Sequence, residues 1–168
     1  MTFRLTLAAA LLTGSAALAQ QTDFTLAIQL EPPHLDPTSA AAGAIDSVLY
    51  ANVFEGLTRF TGTGAVVPAL ARGWDISDDG MTYTFRLAEG VTFHDGTAFD
   101  AEDVKFSLDR ILAEDSANAQ KALYDSIAAV NVIDPLTVEV TLSAPDGDLL
   151  FNLAWGDAVM VAPESIGD

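Results

Sequence analysis

The sequence predicts an α+β fold with several antiparallel strands, and three observations carry that prediction. Tyr83, Phe85 and Leu87 alternate with Thr82, Thr84 and Arg86, the period of a half-buried strand. Asp100 followed by Val104, Leu108, Ile111 and Leu112 has the cap and stripe of an amphipathic helix. Turn sequences at Gly62-Thr63-Gly64, Asp78-Asp79-Gly80, His94-Asp95-Gly96-Thr97 and Asp134-Pro135 separate short extended runs.

In chain order, Met1 to Arg4 carries one positive charge, Leu5 to Leu12 is apolar, and Ala17-Leu18-Ala19 is an A-x-A site. That order is the pattern of a secretory signal peptide cleaved after Ala19. The apolar stretch is too short for a span of about 20 residues. Phe24 to Leu30 is apolar enough for a buried strand, and Glu31-Pro32-Pro33 ends it because proline lacks the donor a ladder requires. Leu35-Asp36-Pro37 continues an extended loop, and Ala40 to Ala44 is small and featureless. Ile45, Leu49 and Val53 recur every four residues, which predicts a helix ending near Gly56. Leu57 to Phe60 and Ala65 to Val67 read as two extended pieces around a turn.

For the helix after Asp100, four devices agree. The Asp100 carboxylate accepts from the free N–H groups of the first turn, and Glu102 and Asp103 favour the positive end of the dipole. Phe99 and Val104 are spaced as a hydrophobic staple. A second short helix is expected over Gln120 to Ala128. Asn131 to Ile133 and Val138 to Leu142 read as strand, turn and strand, and Leu149 to Trp155 as a short helix. The strand at Phe24 to Leu30 stands apart from the others, which suggests pairing with chain not present here. With the uncapped end over Glu164 to Asp168, it points to an N-terminal fragment.

Charge and composition narrow the function. The 168 residues carry 24 acids against 7 bases, a net charge of −17 and a pI of about 4.1. Nucleic-acid binders require a basic footprint, and an anionic membrane surface repels such a chain. Half of the residues are hydrophobic and the mean hydropathy is +0.30, so a core is available. There is no cysteine, which excludes disulfides, thiol nucleophiles, cysteine-ligated metals and a lipoprotein anchor within this sequence.

Chemical motifs mostly fail on spacing. Asp75 to Gly80 resembles the start of a calcium loop, but the twelfth position, which should be acidic, is Arg86. Gly62-x-Gly64 lacks the third glycine of a dinucleotide loop, having Val67 there. His34 and His94 lie far apart in two loops, and a metal site on both has no further support. Asp100, Glu102 and Asp103 are explained by helix capping, although a secreted hydrolase using paired carboxylates remains an alternative. A self-sufficient periplasmic interaction module is a second one.

A resemblance is specific in the middle of the chain. Gly80 to Leu87, then Glu89 to Thr97, then Ala101 to Leu108 resembles the signature of family 5 extracytoplasmic solute-binding proteins, the dipeptide, oligopeptide and nickel receptors of ABC importers. Leu35-Asp36-Pro37 and Asn52 to Leu57 fit the family upstream. Ala69 to Trp74 fits its A-x-x-W stretch, and Val138 to Leu142 with Pro145 its later strand. The resemblance covers Phe24 to Pro163.

It implies a type II periplasmic-binding-protein fold, of which this sequence supplies a part. Residues 1–19 are the signal peptide, 20–44 the first strand and loop of lobe I, 45–160 an inserted extra domain, and 161–168 the return to lobe I. The implied protein is a periplasmic receptor that closes on a peptide or similar small solute, with nickel or sugar as alternatives, and delivers it to an inner-membrane ABC permease. It implies no catalysis, cofactor or metal, no membrane insertion, and a monomer when full-length. Gly80, Phe85, Leu87, Phe93, Asp95, Gly96, Ala101, Glu102, Asp103 and Val104 are then structural signature residues. The loop after Leu35-Asp36-Pro37 forms part of the ligand wall in peptide-binding relatives. Here it corresponds to Ala41, Ala42 and Gly43, which would offer backbone groups.

Overall fold

A computed structural model describes residues 25–40 and 42–166. The signal peptide expected over residues 1–19 lies outside the described residues. The described residues form two antiparallel sheets and three α-helices. Helix α1 spans Gly43–Leu49, β1 Thr58–Phe60, β2 Val66–Pro68, β3 Ala71–Ile76 and β4 Thr82–Leu87. Helix α2 spans Ala101–Leu112, β5 Ile127–Asp134, β6 Thr137–Leu142 and α3 Leu149–Asn152.

Strands β3, β4, β6 and β5 form the main sheet in that order, all antiparallel. Phe85 faces Val138 and Tyr83 faces Val140 across β4 and β6. The alternation puts Tyr83, Phe85, Leu87, Val138, Val140 and Leu142 on the buried face. Val104, Leu108 and Ile111 of α2 close over it in the same core. Each such side chain contributes about 1.5–3 kcal/mol by burial. The smaller sheet is the β1–β2 hairpin, closed by a Thr61 N–H to Ala65 carbonyl bond of 2.8 Å.

Four expectations change. The apolar run of Thr25 to Leu30 forms no strand: its residues are exposed, because no described strand flanks them. Helix α1 stops at Leu49, not near Gly56. Ala51 takes a positive φ of 58°, and Gly56 pairs instead with Val159. Only a 3-10 turn, Lys121–Tyr124, occupies the expected second helix, since β5 already begins at Ile127. Leu149 to Trp155 is helical only to Asn152. Strand β3 carries no clear sequence signal, because its burial does not alternate.

Candidate functional site

The signature residues fall on one continuous stretch of structure. Gly80 closes the β3–β4 turn with φ +70°, a conformation glycine adopts without steric cost. In that turn the Asp79 carboxylate accepts from the Ser77 hydroxyl at 2.6 Å and from the Met81 N–H at 3.0 Å, which lowers its pKa. Arg86, at the twelfth position from Asp75, forms an ion pair with Asp75 itself. Asp75 and Asp79 of the calcium-like sequence are therefore engaged by the protein's own groups.

Phe85 and Leu87 sit in the core. The Phe93-His94-Asp95-Gly96 turn is closed by the Phe93 N–H on the Thr97 carbonyl at 2.9 Å. Asp95 accepts from the Thr97 hydroxyl at 2.7 Å and its N–H at 2.9 Å, and these bonds hold the carboxyl below its usual range. Gly96 has φ +91°. Phe93 meets Phe99 edge to face at 5.9 Å.

Asp100 caps α2 by accepting the Glu102 N–H at 2.8 Å. Asp103 reaches back to the Asp100 N–H at 2.9 Å, completing a capping box. Burial raises the Asp103 pKa, and its bond to the Asp100 N–H works against that. Ala101 and Val104 are buried, and Glu102 is exposed. None of the three acids lines either cavity described, and Asp100 and Asp103 are engaged in the helix start.

The main cavity is an apolar groove of about 590 Å³. One wall is Leu35-Asp36-Pro37, a second is Val53 to Glu55, a third is the Phe93–Asp95 turn, and the fourth is Met160 to Ala162 with Ile166. The first wall is fixed to α2 by Arg110, which pairs with Asp36 and bonds the Thr38 hydroxyl. Burial raises the Asp36 carboxyl, but the Thr38 hydroxyl and N–H and Arg110 outweigh it, and the net pKa is lowered. The third wall is tied to the second by His94 Nε2 donating to the Val53 carbonyl at 3.1 Å. His34 accepts locally from the Asp36 N–H at 3.3 Å. The two histidines thus serve separate bonds, one local and one between two walls.

Ala41 lies outside the described residues. Ala42 is the N-cap residue of α1, and its carbonyl accepts from Ile45 at 2.8 Å; the Gly43 carbonyl accepts from the Ser47 hydroxyl at 2.6 Å. Neither residue lines the groove. The apolar liners Phe54, Leu70, Met160, Val161 and Ile166 carry no site motif of their own, and the nearest signal is the apolar character of the segment around Met160.

Comparison with known proteins places this arrangement. Residues 65–164 match the model of the bacterial extracellular solute-binding proteins, family 5 Middle, which is more than half of the chain. The chain belongs to that family. The glutathione-binding protein GsiB of Pectobacterium atrosepticum is 35% identical over 144 residues, covering 86% of this chain and 28% of the relative. The periplasmic binding protein AgaA of A. tumefaciens R10, solved with agropinic acid, superposes with a TM-score of 0.76 at 31% identity, over 80% of this chain and 27% of that one. NikZ of Campylobacter jejuni, solved with Ni(L-His), gives 0.72 at 30% identity, over 82% and 27%. The chain therefore spans between a quarter and a third of the length of these relatives. Among the described residues, no helix is long and apolar enough to cross a membrane.

Proposed function

We propose that the protein is the periplasmic substrate-binding component of an ABC importer and captures a peptide or a similar small solute. The family match over residues 65–164 carries this reading. The likeness to a glutathione-binding protein favours a small peptide, and the likeness to NikZ keeps a nickel chelate as the second candidate. Residues 1–19 direct export and are removed. Without cysteine, this sequence has no residue for lipid attachment. Residues 20–44 and 161–168 belong to lobe I, and 45–160 form the inserted domain.

The groove supports that division. Its rim is built by Leu35 to Pro37 at one end and Val161 to Ile166 at the other, both assigned to lobe I. Under this reading the rest of lobe I covers it, and the signature turn is a seat for that lobe. The Ala41 to Gly43 segment borders the ligand through backbone N–H groups, since the carbonyls of Ala42 and Gly43 are already engaged. The receptor works as a monomer, closes around its solute, passes it to a permease and catalyses nothing.

Titration of the full-length receptor with glutathione, dipeptides and a nickel–histidine chelate tests this, with tryptophan fluorescence as the readout. A saturable change with one of them is expected. No response to any of them would overturn the reading.

A further inference from the structure

A single buried carboxyl joins two segments that are distant in sequence. Asp157 lies in the 3-10 turn Gly156–Ala158 and is 4% exposed. Its Oδ1 accepts from Gln120 Nε2 at 3.0 Å, and its Oδ2 lies 3.0 Å from the Tyr124 hydroxyl. The same hydroxyl lies 3.0 Å from the Asn152 carbonyl oxygen.

A tyrosine hydroxyl has one proton, and a carbonyl has none to give. With Asp157 ionised, two acceptors compete for the Tyr124 proton, and the hydroxyl faces one of them without a proton between, while the Asn152 carbonyl keeps the Trp155 N–H at 3.2 Å. With a proton on Oδ2, Asp157 donates to Tyr124, Tyr124 donates to Asn152, and every group is satisfied.

The charged surroundings agree. From α1, Asp46 faces this turn: its carboxyl rests against Gly156, where a side chain would collide with it. Among the described residues, no basic side chain offsets the two acids. Arg72, Arg86, Lys105 and Arg110 pair with other acids, Lys121 bonds the Ala113 carbonyl, and Arg59 forms no ion pair with Asp46 or Asp157. Both histidines are in the loops described above. The other partner of the turn, Asn118, is neutral and donates to the Asp157 backbone carbonyl at 2.9 Å.

We propose that Asp157 is a protonated acid in the folded protein, and that the Asp157–Tyr124–Asn152 chain is a proton-held clasp that loosens when the proton leaves. Burial pushes the Asp157 pKa up, against the bonds it accepts. Burial pushes Asp46 up as well, and ionisation of Asp157 would push it further. The clasp bears on the groove: Val159 pairs with Gly56, and the Met160 N–H donates to the Glu55 carbonyl at 2.9 Å, just beyond the turn that Asp157 anchors.

Asp157→Asn copies the protonated form, with an N–H for Tyr124 and an oxygen for Gln120. Denaturant unfolding of the full chain, wild type against Asp157→Asn, from about pH 4 to about pH 8, is the test. An acid with a raised folded pKa contributes fully below its unfolded value of 3.8 and loses that contribution as pH rises to the folded value. Wild type is therefore expected to lose stability relative to the variant across that window, by about tenfold in the folding constant for each pH unit between the two values. Asp46→Asn is expected to move the loss to lower pH. In the infrared, a protonated-carboxyl band should persist in wild type above the pH where surface aspartates ionise, and Asp157→Asn should remove a component of it that Asp46→Asn leaves in place. Absence of that band, or a variant that is less stable by the same amount at every pH, would overturn the proposal.

Discussion

Strand β4 and the segment from Thr25 to Leu30 have the same apolar period and opposite environments. In β4, Tyr83, Phe85 and Leu87 are 5%, 0% and 1% exposed. In the earlier segment Leu26, Ile28 and Leu30 also alternate, yet they are 63%, 42% and 72% exposed. The difference is a partner. Strand β4 lies between β3 and β6 and shares a core with α2, whereas no described strand flanks the other segment. Alternation states which face of a strand wants burial, and only neighbouring chain supplies it. Covering those three side chains would contribute about 5 kcal/mol in sum, enough to hold a strand in the proposed lobe I.

Substitutions can break or sharpen that contrast. The largest effect belongs to the sheet: Phe85→Ala should cost about 3–5 kcal/mol in denaturant unfolding, because it empties the centre of the core. Gly56→Ala comes next, at about 1–3 kcal/mol. A methyl there would stand 3.0 Å from the Leu153 carbonyl and 3.2 Å from that of Thr58, both backbone atoms that cannot step aside. Asp100→Ala should cost about 1 kcal/mol through the lost cap.

Asp95→Asn should have a smaller effect that depends on pH. The folded Asp95 pKa is lowered by its Thr97 bonds, so its contribution is present above the unfolded value of 3.8 and lost as pH falls below it. Wild type and variant should therefore converge in acid, as read by thermal unfolding. The smallest effect belongs to the exposed segment. Leu26→Ser should shift the stability of residues 20–168 by less than about 0.5 kcal/mol. The same change in the full-length receptor should cost about 1–3 kcal/mol once the strand is covered.

What is legible in the sequence is whatever is decided within a few residues. The cap at Asp100, the turns at Gly80 and Gly96, and the alternation of β4 and β6 are local, and the structure has each where its residues indicate. Strand β3 is not legible, because Arg72, Gly73 and Asp75 interrupt any alternation, and its place depends on pairing with β4. The first two residues of β5, Ile127 and Ala128, read as the end of a helix because the alanines there carry no strand signal. Helix α1 is overextended by its sequence pattern because Val53 continues its period while Ala51 breaks its backbone.

Of the site, the signature turn is legible and the groove is not. Its walls come from segments more than one hundred residues apart, and Met160 to Ile166 carry no motif. The cluster around Asp157 is equally hidden, since its partners lie 33 and 37 residues away.

Under the proposed function, this region is a scaffold and solute capture requires the lobes built by the rest of the receptor. Calorimetric titration of residues 20–168 beside the full-length receptor, both with glutathione, dipeptides and the nickel–histidine chelate, tests it most directly. Saturable binding of one solute by the full-length receptor and none by residues 20–168 is the predicted result. Saturable binding by residues 20–168 alone would contradict it.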